Sequence, residues 1–163
     1  MKTVDLIKAV LSPSDMVVRK YLEDLTDADL LRRPCAGANH IAWQLGHTIV
    51  AEHQLIEMVC PGKMPPLPAG FADKHAKETA TVDDRQAFFT KAEYLEQYAK
   101  QRAGTLAAAE QLSEEQLAAP TPEKVRMFAP TVAAMFTNQA GHWLMHAGQW
   151  VIVRRQLGKP PLF

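Results

Sequence analysis

The apolar residues of this chain recur at helical spacing, and no segment alternates long enough to read as a half-buried strand. That periodicity, broken by a few proline- and glycine-marked stops, confines the chain to an all-α fold. The first helix is expected from about Thr3 to Leu25, with Pro13 inside it. Ser12-Pro13-Ser14-Asp15 has the chemistry of a fresh helix start, so either a kink or a short leading helix is expected there. A connection follows, with a short helical turn expected over Asp27 to Leu31. Asn39 then reads as the N-cap of a second helix over about His40 to Cys60, which Pro61-Gly62 ends.

On that second helix Ile41, Leu45, Leu55, Ile56 and Val59 form one stripe. Trp43, His47, Val50, Gln54 and Met58 form another on roughly the opposite side. A helix apolar on two sides is covered on both, as at the centre of a bundle or at a subunit interface. Residues 61 to 82 make a long connection rich in proline and small residues, whose Phe71 could pack onto the bundle mouth. Thr81 to Asp84 carries capping chemistry for a third helix, expected from Asp83 to Leu112. Ser113-Glu114-Glu115-Gln116 is a capping box that opens a short helix ending at Pro120. The segment TPEKVRMFAP reads as a loop. Thr131 then caps a fourth long helix, about Val132 to Leu157, closed by Gly158-Lys159-Pro160-Pro161. Four long helices with one extended crossover between the second and third describe a four-helix bundle, read as a single domain over residues 1–163.

Lys plus Arg and Asp plus Glu balance at 18 each, so no global field favours nucleic acid or an anionic membrane. No apolar run reaches spanning length, and the first residues lack the apolar core of a secretory signal. The two cysteines, Cys35 and Cys60, show no metal-type or disulfide-framework spacing, and a reduced, cytoplasmic protein is expected.

The chemistry lies in HWLMHAGQW, His142 to Trp150. Met135, Gln139, His142, His146, Gln149 and Val153 fall within a narrow arc of the fourth helix. Histidines four residues apart stand on adjacent turns of one face, and such a pair can converge on one cation. A catalytic centre needs a third protein ligand and an open position. His47, mid-way along the second helix, is the first candidate. His40 follows as a lid or supporting group, whereas His53 points elsewhere and His75 lies in the long loop. The alternative is a pair of buried imidazoles satisfied by amides such as Gln139 and Gln149.

NHIAWQLGHTIVAEHQL, followed much later by HWLMHAGQWVIVRRQLGKPPLF, resembles the DinB-like superfamily of four-helix-bundle metalloproteins. The resemblance includes the DLTDADLLRRPCAGANHIAW lead-in and the proline-rich crossover, and covers nearly the whole chain. It implies His47, His142 and His146 as ligands of a divalent transition metal: Zn, Ni, Fe or Mn. Some relatives carry a carboxylate at one ligand position; this chain has histidine at all three. Trp43, Gly148, Gln149 and Arg154 match framework positions. Of these, Gln149 is expected to orient an imidazole, Trp43 to support the site, and Gly148 to let a neighbouring helix approach. Arg154 and Arg155 could anchor an anion or simply offset the helix dipole. The resemblance further implies an enzyme using a low-molecular-weight thiol, most directly an S-transferase acting on an electrophile, in a homodimer. Metal-assisted hydrolysis and a non-enzymatic metal-binding or stress-response bundle are the alternatives.

Overall fold

The computed structural model describes all residues, 1–163. Six α-helices follow in order: α1 (Thr3–Leu22), α2 (Ile41–Val59), α3 (Lys91–Glu110), α4 (Glu114–Ala118), α5 (Glu123–Arg126) and α6 (Val132–Gln156). The four long ones form the bundle, with α1 packed chiefly on α6 and α2 on both α3 and α6. The fold is all-α; the one extended pairing is an isolated bridge between Pro120 and Thr131. No helix is long and apolar enough to cross a membrane.

Cross-helix contacts fix the directions. Arg154 near the end of α6 bonds the Tyr21 carbonyl near the end of α1, so these two helices run together. Gln44 at the start of α2 meets Gln149 late in α6, while Glu52 meets Trp143, so α2 and α6 are antiparallel. Glu52 also meets Thr105 of α3, and His75, packed on Gly46, meets Tyr94 at the start of α3. Helices α2 and α3 therefore point the same way. Parallel neighbours need a connection that travels back along the bundle, and at about 1.5 Å per residue a 20-residue helix such as α3 is about 30 Å long. The long segment between them meets that geometric demand.

Four expectations change. Pro13 does not interrupt α1, which runs unbroken from Thr3 to Leu22. Pro13 and Ala9, the residue whose carbonyl loses its partner, both face water, and the opposite face buries Ile7, Leu11, Ser14, Val18 and Leu22. Ser14 donates its hydroxyl hydrogen to the Leu11 carbonyl, so it serves inside the helix rather than at a cap. The cap of α2 is His40, whose Nδ1 accepts the Trp43 N–H at 3.0 Å, and not Asn39. Helix α3 starts at Lys91 under a capping box of Thr90 and Glu93. Asp84 caps only a single 3₁₀ turn, Arg85–Ala87, so Phe88 and Phe89 remain in the connection. Within the expected loop after Pro120, residues Glu123–Arg126 close one helical turn.

The crossover is a packed structure with its own anchors. Phe71 is buried against the partly buried Phe89 and the buried Tyr94, their rings 5.0 and 6.2 Å away. His75 is buried too, its Nδ1 donating to the Phe71 carbonyl and its Nε2 accepting from Tyr94 Oη, both at 2.7 Å. Gly46 makes room for that ring: a Cβ there would lie 2.0 Å from His75 Cδ2. By contrast, Gly148 has no atom within 4 Å of where its Cβ would sit, so no helix of this chain approaches it closely.

Two apolar clusters fill the interior, one using α2 residues 41–49 and the other Ile56 and Cys60. Along α2 Glu52 falls between them, fully buried. Its Oε1 accepts from Thr105, its Oε2 accepts from Trp143 Nε1, both at 2.7 Å, and Arg102 lies 3.1 Å away. The Arg102 guanidinium is within ion-pair distance of Asp15 as well, without a well-aligned hydrogen bond to either acid.

Candidate metal centre

The bundle brings together His47 of α2 and His142 and His146 of α6. One ring nitrogen from each lies within 4.8 Å of the other two. The ring centroids of His47 stand 5.4 Å from both partners, and those of His142 and His146 are 5.0 Å apart. Nε2 of His146 is 3.2 Å from Nε2 of His142. Bonds of about 2.0–2.1 Å to one cation would hold neighbouring nitrogens about 3–3.5 Å apart, so that pair already has ligand spacing. The cluster contains no carboxylate and no thiol.

The tautomer of His146 follows from its neighbours. Gln44 is buried, and its amide nitrogen donates to the Asn39 carbonyl at 2.6 Å and to Gln149 Oε1 at 3.0 Å. Its amide oxygen must then be the acceptor facing Trp150 Nε1 at 2.9 Å and His146 Nδ1 at 3.2 Å. Nδ1 of His146 therefore carries the hydrogen, and Nε2 presents a bare lone pair to the cluster. His142 has no other partner in the protein, and neither nitrogen of His47 has one. A ring half-buried without a hydrogen bond is an available ligand.

Burial pushes all three imidazoles toward the neutral, ligand-competent form. Desolvation lowers His47, and it lowers His142 and His146 to about 4, with mutual repulsion among the rings as a lesser cause. The His47 ring stacks on Trp43 at 4.9 Å and 9°. Trp43 Nε1 in turn donates to Thr79 Oγ1 at 3.0 Å, which ties the ring behind His47 to the crossover. The donor set, its spacing and its protonation all suit a divalent transition metal.

The other singled-out residues lie elsewhere. His40 is buried with both nitrogens engaged, Nδ1 at its cap and Nε2 to the Val82 carbonyl at 3.0 Å; it is no lid. His53 faces Gln101 at 3.1 Å. Gln149 does not reach an imidazole; it holds Gln44, which does. Gln139 bonds the Met135 carbonyl of its own helix, not a ring nitrogen. Arg154 is buried against Asp24 and the Tyr21 carbonyl, where it clamps the end of α1 and is not free to bind an anion. Its hydrogen bond lowers the Asp24 pKa. Trp143 and Trp150 are core residues with engaged N–H groups. Gln44 was missed in the sequence, where an amide three residues before His47 carries no ligand signature.

Two hollows border the cluster. One, of about 520 Å³, is lined by His47, Trp43, Val50 and Gln54 of α2 and by Asp73 and Lys77 of the crossover, among others. The second lies beside His142.

Three inward-facing imidazoles from two antiparallel helices define a helical-bundle protein with a potential metal site. The chain belongs to the DinB superfamily, whose model matches residues 14–150. A crystal structure of a conserved protein from Enterococcus faecalis shares its fold, with a TM-score of 0.71 over 98% of this chain and 99% of that one, at 18% identity. No curated protein matches.

Proposed function

We propose that this protein is a metal-dependent S-transferase that uses a low-molecular-weight thiol, with His47, His142 and His146 holding a divalent metal. The observation that carries the reading is the convergence of three neutral imidazoles, one of them, His47, with no hydrogen bond of its own. When bound, a divalent cation supplies Lewis acidity that lowers the pKa of a coordinated thiol. The chain's own residues do the rest. Gln44 fixes the lone pair of His146, Trp43 backs His47, and the hollow at His47 offers Lys77 and Asp73 to the charged ends of a thiol co-substrate. In the transfer, sulfur donates an electron pair to an electrophilic carbon. The leaving group departs with its bonding pair, and the thiol proton passes to solvent.

The buried state of Glu52 favours this reading over hydrolysis. This carboxylate is committed to Arg102, Thr105 and Trp143, so it does not serve as a general base for water at the cluster. The exposed apolar residues Leu6 and Val10 of α1 support pairing of two copies through that helix. The test is loss of free thiol when the metal-loaded protein meets a panel of thiols and electrophiles. Turnover that disappears in His142→Ala supports transfer; release of product by water alone, without thiol consumption, overturns it in favour of hydrolysis.

A further inference from the structure

The hollow beside His142 differs from the one at His47 in its chemistry. It measures about 330 Å³ and is lined by Leu55 of α2, Phe128 ahead of α6, and Asn138, Gly141, His142 and Met145 of α6. None of these side chains carries a permanent charge. A charged group placed there would find no charged partner among them. An apolar cavity of roughly 150 Å³ already accepts benzene, so this one has room for an aromatic ring or a short alkyl chain.

Two further observations point to a ligand. Phe128 is 47% and Met145 60% exposed, so large apolar side chains stand in water directly beside a reactive cluster. Gly141 sits inside a 25-residue helix, where glycine costs about 1 kcal/mol relative to alanine. No packing demands it, because nothing lies within 4 Å of where its Cβ would be. Any larger side chain there would take up space in the hollow that Gly141 lines. Met145 suits the same role, since a flexible thioether conforms to irregular apolar shapes.

We propose that this hollow seats the uncharged, apolar portion of a small-molecule substrate, an aryl or short alkyl group, with its reacting atom turned toward His142. Asn138, the one amide in the lining, takes the substrate's polar atom. The assignment rests on the thiol-transfer reading only for calling that molecule the electrophile; its binding needs no metal. The substrate class is thus a neutral electrophile, with the charged partner confined to the hollow at His47.

The test follows the methionine methyl signals of the full chain by NMR, with Met145 assigned from Met145→Leu. Benzyl alcohol is the neutral ligand, benzoate the anionic one, each titrated with and without Zn²⁺. Benzyl alcohol should shift the Met145 signal saturably, with benzoate weaker by roughly tenfold or more. Gly141→Leu should abolish the shift while the helical circular dichroism stays unchanged. If that variant does not fold, Met145→Glu, on an exposed position, should weaken benzyl alcohol in the same way. An unmoved Met145 signal, equal affinity for benzoate, or unchanged binding in Gly141→Leu overturns the assignment. So does a Met145 signal that depends on protein concentration alone in a dimer that Gly141→Leu dissociates, because a second copy then covers the hollow. Benzyl alcohol seated as expected in a protein that takes up no metal leaves the hollow assigned and removes the S-transferase reading. Stoichiometric metal with an unmoved Met145 does the reverse.

Discussion

Replacing Gly46 by alanine sets a gain in helix propensity against the seating of the crossover. The added methyl would lie 2.0–2.2 Å from three atoms of the His75 ring, far inside van der Waals contact. The ring is buried and held at both nitrogens, so it cannot swing aside without breaking its 2.7 Å bonds to the Phe71 carbonyl and Tyr94. Each buried partner left unsatisfied costs about 1–3 kcal/mol. Alanine returns about 1 kcal/mol of helix propensity. The net destabilisation is about 3 kcal/mol, which for a chain of this size lowers Tm by roughly 6–12 °C. Urea unfolding followed by far-ultraviolet circular dichroism measures it, and a double-mutant cycle isolates the cause. In a His75→Ala background the obstruction is gone, and Gly46→Ala should become neutral or stabilising. Equal destabilisation with and without His75, or stabilisation by Gly46→Ala alone, would refute the latch. Because Gly46 precedes His47, metal affinity should fall in the single variant as well.

Three other outcomes are expected. Gln44→Ala frees Nδ1 of His146, and loss of such an orienting partner should weaken metal binding about 10–100-fold in a calorimetric titration. Glu52→Ala leaves Arg102 with Asp15 as its one acid and takes the acceptor from Thr105 and Trp143, at a cost of about 3–5 kcal/mol, whereas replacing Glu52 and Arg102 together by apolar residues of similar volume should recover part of it in denaturant unfolding. The pH dependence has a definite sign. His75 is lowered to about 4 by burial, so between its ordinary value near 6.5 and about 4 the unfolded chain binds a proton that the folded chain does not. Stability from this group is complete above about pH 6.5 and declines as pH falls toward 4, by up to about 3 kcal/mol. Urea midpoints of metal-free protein across that range should decline more steeply than those of His75→Ala.

Much of this architecture is legible in the sequence because helical periodicity and end signals are local. Thr131 caps α6 and Ser113 opens α4 where their side-chain chemistry places them. The start of α3 is the exception: Thr81 to Asp84 carries capping chemistry and points to a start at Asp83, whereas the box that opens the helix is Thr90 with Glu93. Tertiary burial of Phe88 beside His40 holds the first segment out of the helix. Pro13 misled because its penalty is local, whereas the apolar face that carries α1 through it extends over the whole helix. At the cluster, His142 and His146 are readable from their spacing, and His47 from its stripe on α2. Gln44, Glu52 and the slot at Gly46 are not, since each acts on a residue 29 to 102 positions away in sequence, and nothing in the linear pattern links them.

The central claim meets its most direct test in X-ray absorption spectroscopy of untagged protein loaded with one equivalent of Zn²⁺. The account predicts three imidazole nitrogens at about 2.0–2.1 Å with a light-atom ligand in the remaining position, and two imidazoles in His47→Ala. A sulfur shell at about 2.3 Å, or an imidazole count unchanged in His47→Ala, would contradict it.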